Sequence, residues 1–317
     1  MFRRIFAIGL FLVACSSLWA DVTMRMALDL KVNMAVPTAI PELPVKELLT
    51  RVKGDRGSAV FGNIVSITDN SRSDVTLIDT KAQHFAIISM ADYLAKLQAK
   101  NMAGADKADA AQADAVKQML ANIKMDVQSR DTGRSDRIGG IDVTEREVVV
   151  NMSIPVPVPG QENGLQMTMK FQLWKPKASE LDRVPALREL ANYNDRNQGF
   201  NNPTTLLRQM FSAMPGMSDS AAKMADEMKK GGSVTLGLHM GVFMPGLGKM
   251  MEQARAAGKT VPDMPSADTP LAEFSLNLKE LSTDTVPASA FTVPAGYTEA
   301  PSDELIKGMM ESFVPAK

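Results

Sequence analysis

Apolar and polar residues alternate through residues 22–32, and this alternation constrains the fold more than any other feature of the chain. The apolar positions are Val22, Met24, Met26, Leu28, Leu30 and Val32, with Thr23, Arg25, Ala27, Asp29 and Lys31 between them. A period of two places successive side chains on opposite faces of a β-strand. The segment therefore predicts a strand with one buried face.

The same alternation recurs in four later segments. They contain Leu165, Met167, Met169, Phe171 and Leu173; Val234, Leu236, Leu238, Met240, Val242 and Met244; Phe274, Leu276 and Leu278; and Val148, Val150, Met152 and Ile154. Strands that are apolar on one side only are typical of an antiparallel sheet. Between two of them, Pro159-Gly160 and Asn163-Gly164 predict a hairpin connection. Shorter strands are predicted at 49–55, 58–63, 64–69, 74–79 and 84–88.

Helical patterns interrupt the strands. Ser89 is placed to cap a helix over 90–102, an apolar stripe predicts another around 116–123, and shorter helices are predicted at 249–257 and after Ser302. From Pro185 to Lys230 the whole pattern is helical, which predicts an insertion at about 183–230 that caps the sheet. The fold class predicted is therefore α+β. Alternating strands resume after each proline-rich loop, so we expect one domain over 21–317.

The N-terminus has the features of an export signal. Arg3 and Arg4 precede the apolar residues 5–14, a run much shorter than the roughly 20 residues that span a bilayer. Cleavage after Ala20 would make 1–20 a signal peptide and release a periplasmic or secreted bacterial protein. The alternative is lipidation of Cys15, because the preceding Leu-Val-Ala resembles a bacterial lipobox and would make the protein a lipid-anchored envelope protein.

Few residues in the chain are suited to catalysis or metal binding. The sequence has only two histidines, His84 and His239, and its single cysteine is Cys15, so an imidazole- or thiolate-based metal site is not expected. It also lacks the G-x-S-x-G and H-E-x-x-H motifs. Because 35 basic side chains balance 36 acidic ones, we expect no nucleic acid partner, and a membrane partner only if Cys15 is lipidated. We predict a monomeric, non-enzymatic protein without a cofactor.

Methionine is unusually abundant, with 23 among 317 residues. Thioethers are soft ligands for Cu(I), so a methionine-rich copper binder is one hypothesis. However, Met24, Met26, Met167 and Met169 alternate in phase with Leu, Val and Phe, which indicates core positions. Flexible methionine side chains fill irregular apolar space, either in a simple core or around an apolar ligand.

Several segments in order resemble a known family. They are 75–97, with Asp79 before Phe85; 131–148, with Thr132-Gly133 before Ile138 and Gly140; 169–176, with Trp174; and the tail with Phe291, Pro294, Gly296 and Tyr297. This order is similar to the DUF4412 and outer-membrane-lipoprotein-carrier-like family of exported bacterial proteins. The resemblance implies a strongly curved antiparallel sheet, an incomplete barrel whose concave apolar face is covered by helices. In characterised relatives that hollow carries acyl chains.

These observations favour an exported protein that binds a hydrophobic ligand or a lipidated partner in the cell envelope. The predicted lining residues are Met24, Met26, Leu28, Met167, Met169, Phe171, Leu236, Leu238 and Met240. Their predicted role is apolar contact. The main alternative is a structural or interaction module of the envelope with a filled core and no ligand.

Overall fold

The computed structural model describes residues 21–33, 45–103, 122–155, 164–196, 218–259, 261, 266 and 268–311. Within these residues the chain forms twelve strands and six helices, a sheet-dominated α+β fold. The strands are β1 (Val22–Val32), β2 (Glu47–Lys53), β3 (Arg56–Phe61), β4 (Ile64–Asp69), β5 (Asp74–Asp79), β6 (His84–Ser89), β7 (Lys124–Ile138), β8 (Ile141–Ile154), β9 (Leu165–Pro176), β10 (Gly237–Phe243), β11 (Ala272–Ser282) and β12 (Thr298–Glu299). The helices are α1 (Met90–Ala103), α2 (Ala178–Arg183), α3 (Pro185–Arg196), α4 (Ser218–Lys229), α5 (Leu247–Ala256) and α6 (Ser302–Glu311).

All twelve strands belong to one open, curled sheet, which is not a closed barrel. Their order is β12-β6-β5-β4-β3-β2-β1-β11-β10-β9-β8-β7. Every neighbouring pair is antiparallel except β12 with β6. Strand β1 lies near the middle, where it pairs with β2 on one side and with β11 on the other. The predicted antiparallel sheet is therefore confirmed.

The strand predictions differ from the structure in several bounds and in one missing strand. Strands β2 and β3 each begin two residues before their predicted starts at 49 and 58, and β8 begins at Ile141, seven residues before the predicted Val148. Strand β10 begins at Gly237, three residues after the predicted start at Val234. Strand β7 was not predicted, because its side chains are mostly exposed and polar and its alternation is confined to the first half, where Met125 is partly buried and Val127 is buried. The physical reason is that β7 is the edge strand of the sheet, and its pairing with β8 is shifted by a bulge between Asp131 and Ser135.

The hairpin predicted between 154 and 165 is confirmed by the antiparallel pairing of β8 with β9. Gly164 stands directly before β9 with a φ of +71°, and a Cβ atom there would lie 2.3 Å from the carbonyl oxygen of Ile154. Only glycine combines this left-handed backbone with so close an approach. Part of the predicted turn, Pro159-Gly160 and Asn163, lies outside the described residues.

The helices follow the predictions with two changes. The backbone N–H of Asp92 donates to Ser89 Oγ at 3.0 Å, which confirms the predicted cap of α1. The helical block begins at Ala178, earlier than predicted, and α5 begins at Leu247, two residues before the predicted start at 249. The helix predicted around 116–123 lies outside the described residues as far as 121, and Asn122 and Ile123 are not helical. Residues 1–20, with Cys15, and residues 197–217 of the predicted helical insertion also lie outside them. No helix in the described ranges is both long enough and apolar enough to cross a membrane.

The core consists of neighbouring clusters on the two faces of the sheet. We call the largest the methionine cluster; its buried members are Met26, Val45, Leu48, Ala59, Phe61, Val127, Val148, Val150, Met152, Met169, Phe171, Leu173, Met224, Met228, Leu238 and Leu276, with Met24, Leu28, Ile123, Met125, Met167, Met240, Val242 and Phe274 partly buried against them. The α3 cluster joins Val22, Val52, Ile141, Val143, Ala186, Leu187, Leu190, Tyr193, Val234 and Leu236. A third joins β4–β6 to α1 and α6, and a fourth, with Ile67, Ile78 and Phe291, lies on the other face of β4 and β5.

Candidate functional site

Strands β1, β9 and β10 bring most of the predicted lining residues together. Strand β10 pairs with β9 in a register that sets Met240 opposite Phe171 and Leu238 opposite Leu173. Strand β11 lies between β10 and β1, and its Leu276 is opposite both Leu238 and Leu28. Because side chains of one register row share a face, the four strands β1, β11, β10 and β9 present a continuous apolar surface.

Eight of the nine predicted residues lie in the methionine cluster, and their burial differs along each strand. Met26, Met169, Phe171 and Leu238 are buried, whereas Met24, Leu28, Met167 and Met240 are only partly buried. Within β1, burial decreases from Met26 to Leu28, and within β9 it decreases from Phe171 to Met167. The apolar surface is thus closed near the middle of these strands and partly open at one end.

Leu236 is separated from the other eight. It precedes β10, its backbone N–H donates to the carbonyl oxygen of Trp174 at 2.9 Å, and its side chain belongs to the α3 cluster. A regular period of two groups it with Leu238, but the strand starts only at Gly237. Leu236 therefore packs at the end of the sheet that α3 covers.

Other members of the methionine cluster were not among the predicted lining residues. The buried ones come from β2 and the residue two positions before it, from β3, β7, β8, β9 and β11, and from α4: Val45, Leu48, Ala59, Phe61, Val127, Val148, Val150, Met152, Leu173, Met224, Met228 and Leu276. Two signals were available in the sequence. Val148, Val150 and Met152 alternate like the chosen residues, and Met224 and Met228 are four residues apart, which places them on one helix face.

Helix α4 covers the β7–β8 part of this surface and is held there by charged groups. Arg146 Nη2 lies 3.3 Å from Glu227 Oε2, and the two side chains are only 11% and 16% exposed. The Arg146 guanidinium also donates to Asp131 Oδ1 and Ser129 Oγ, each at 2.6 Å, and to the carbonyl oxygen of Glu227 at 3.2 Å. Because this guanidinium has several partners, it fixes the last turn of α4 on the sheet.

Two pKa values beside this contact depart from their ordinary range. The hydrogen bond from Lys230, together with that from Ser129, lowers the pKa of Glu227 to about 2. Burial, with a smaller contribution from the charge of Arg146, lowers the pKa of Lys175 to about 8. The Lys175 ammonium donates to the carbonyl oxygen of Gly232, three residues after the end of α4. Both groups therefore act in holding α4 and the loop that follows it.

The chemistry of the site is that of apolar contact. No group of three or more His, Cys, Asp or Glu residues is arranged to hold a metal within the described ranges. The soft ligands present are the thioethers of nine methionines in the methionine cluster. His239 lies 3.3 Å from Glu273 Oε2, and its position in β10 puts it on the face opposite Leu238 and Met240.

No protein-family model matches this chain, and no curated protein matches its sequence. The likeness to the DUF4412 and lipoprotein-carrier-like family thus remains a prediction from the segments quoted above.

Proposed function

We propose that the methionine cluster binds the acyl chain of a lipid, either free or attached to a lipidated partner. In this proposal the helix-covered face of the sheet is the concave side of a strongly curved incomplete barrel. The protein is exported, and it is either released after Ala20 or anchored through Cys15. Hydrocarbon and thioether side chains offer apolar contact alone, so none of the lining residues has a catalytic role.

One observation carries this proposal. Leu28, Met167 and Met240 are partly buried, yet they belong to the same cluster as fully buried residues of the same strands. A contiguous apolar surface that reaches solvent marks a binding site more often than an isolated exposed side chain does. An acyl chain laid along these strands would extend the existing core, and flexible methionines adapt to chains of different shape.

A second candidate function also has an observation in its favour. Met224 and Met228 of α4 are 0% and 2% exposed and insert directly into the cluster. Side chains from the protein itself therefore already occupy part of the surface, as expected of an envelope module with a filled core and no ligand.

The two candidates are separated by titrating the purified protein with a fluorescent fatty acid. Leu28→Gln puts an amide on the proposed lining, and we expect it to weaken binding by about tenfold or more, since burying a leucine side chain contributes about 1.5–3 kcal/mol. Ala27→Gln is the matched control, because Ala27 adjoins Leu28 but lies on the other face, opposite Asn277 and Glu47. Its affinity should equal that of the unmodified protein.

The source of the acyl chain is tested in the same assay. A fatty acid and a diacylated peptide each compete with the probe, and the tighter competitor identifies a free lipid or a lipidated protein as the ligand. If neither the fatty acid nor the diacylated peptide binds saturably, the proposal is rejected. The remaining candidate is then the envelope module with a filled core and no ligand.

A further inference from the structure

Nine methionines share one cluster, and they fall into two groups by burial. Met26, Met152, Met169, Met224 and Met228 are buried, whereas Met24, Met125, Met167 and Met240 are partly buried. Met125, Met152 and Met167 are direct cross-strand partners in one register row over β7, β8 and β9. The buried Met152 therefore lies between two thioethers that solvent can reach.

We propose that these four partly buried methionines are an oxidation site at which a peroxide converts the methionine cluster from an apolar to a polar surface. The effect on ligand binding rests on the proposed function, whereas the order of oxidation does not. In the reaction a sulfur lone pair attacks one peroxide oxygen, an S–O bond forms and the O–O bond breaks. With hydrogen peroxide, sulfur loses two electrons and the attacked oxygen loses its proton to give the sulfoxide. The leaving hydroxide takes up a proton and departs as water.

The burial of the cluster determines which thioethers react. Oxidation requires contact between sulfur and the oxidant, so the partly buried group reacts first. Met224 and Met228 lie on the inner face of α4, whose last turn is fixed by Arg146 and Glu227. The five buried sulfurs are reached only when packing opens.

The sulfoxide changes the surface because it is a strong hydrogen-bond acceptor. The members of the cluster are all apolar and donate no side-chain hydrogen bond. A sulfoxide oxygen at Met167 or Met240 would lose its hydrogen bonds with water when an acyl chain covered it, which opposes binding. Met125, Met167 and Met240 lie towards the partly open end. Met24 lies on the other side of Met26 and also packs against the α3 cluster, so its sulfoxide would add a polar group at that end.

The first test measures the order of oxidation by peptide mass spectrometry during treatment with hydrogen peroxide. We expect the four partly buried methionines to be oxidised at least about tenfold faster than the five buried ones. Equal rates in the two groups would overturn the proposal, whatever the protein binds.

The second test measures fluorescent fatty acid binding before and after peroxide. Binding should fall in step with oxidation in the unmodified protein. The variant with leucine at Met24, Met125, Met167 and Met240 should keep, after peroxide, whatever affinity the same variant has before peroxide. Met250→Leu with Met251→Leu is the matched control, since these residues are partly exposed on α5 outside the cluster. After peroxide, this control variant should lose fatty acid binding to the same extent as the unmodified protein.

The outcomes separate the two proposals. Loss of binding in the quadruple leucine variant after peroxide would overturn the oxidation site and leave the proposed function intact. Absence of binding before any peroxide is added would reject the proposed function and, with it, the effect of oxidation on a ligand.

Discussion

The two ends of strand β1 lie in different surroundings. At its start, Val22 is completely buried in the α3 cluster together with Leu187 and Leu190. Towards its other end, Leu28, Leu30 and Val32 are only partly buried, although they continue the same apolar face. The α3 end is packed as a protein interior, while the other end keeps apolar surface near solvent. Stability and the proposed binding are therefore expected to reside at opposite ends of the same strands.

The largest expected effect breaks the packed end. Leu190→Ala should lower the free energy of unfolding by about 2–5 kcal/mol, because it leaves a cavity in a fully buried cluster. Met167→Ala at the partly open end should cost about 1 kcal/mol. Urea unfolding of both variants checks the comparison, and equal losses would show that the two ends are packed alike.

The next effect concerns α4, which covers part of the partly open region. Glu227→Gln weakens the hydrogen bonds from Lys230, Ser129 and Arg146 and should lower the free energy of unfolding by about 1.5–3 kcal/mol at neutral pH. Lys230→Met removes only one of these partners, an exposed one, and serves as the milder control. A loss no larger for Glu227→Gln than for Lys230→Met would mean that Arg146 does not hold α4.

The same carboxylate predicts a pH dependence. The pKa of Glu227 falls from the ordinary 4.5 to about 2 in the folded protein, so folding favours the deprotonated form. Its contribution to stability is complete above about pH 4.5 and is lost as the pH falls towards 2. Unfolding measured between pH 5 and 2 should have a shallower acid slope in Glu227→Gln than in the unmodified protein, and identical slopes would contradict this.

A smaller effect is expected for a single hydrogen bond at the packed end. Tyr193 and Thr68 are joined through their hydroxyls, which links α3 to β4. Tyr193→Phe should lower the free energy of unfolding by about 1 kcal/mol. Tyr93→Phe should cost less, since the Tyr93 hydroxyl donates to the thioether of Met309, a weak acceptor. The reverse order would show that the Tyr193 contact does not stabilise the α3 end.

The smallest effect sharpens the comparison at the partly open end. Met167→Leu and Met240→Leu conserve apolar volume where packing is incomplete, so each should change the free energy of unfolding by less than about 1 kcal/mol. Differential scanning calorimetry is sensitive enough to detect such shifts. Losses well above that value would place these residues in a core as tight as the α3 cluster.

Much of the sheet could be predicted because one face of each central strand is buried. Strands β4 and β5 have the predicted bounds, and β1 follows the predicted alternation. Strand β7 was missed although its first half alternates, with Met125 and Val127 turned towards the methionine cluster. From Arg130 onwards its side chains are mostly exposed, and the periodicity on which the prediction depends is lost. Whether a strand lies at the edge of a sheet depends on the tertiary fold, so it cannot be predicted from the residues of that strand alone.

The candidate site was partly predictable for the same reason. Alternation correctly grouped Met167, Met169 and Phe171 on one face of β9. It failed for Leu236, because the boundary between loop and strand at Gly237 depends on pairing with β9. The apolar residues that α4 contributes to the cluster could not be predicted. Their spacing in the sequence indicates an apolar helix face, but it does not indicate on which strands that face packs.

The central claim is that the methionine cluster holds an acyl chain, and organic extraction of the purified protein tests it most directly. Mass spectrometry of the extract should detect lipid in stoichiometric amount from the unmodified protein and from Ala27→Gln, and much less from Leu28→Gln. Lipid-free extracts from all three, from protein that also fails to take up added fatty acid, would contradict the claim.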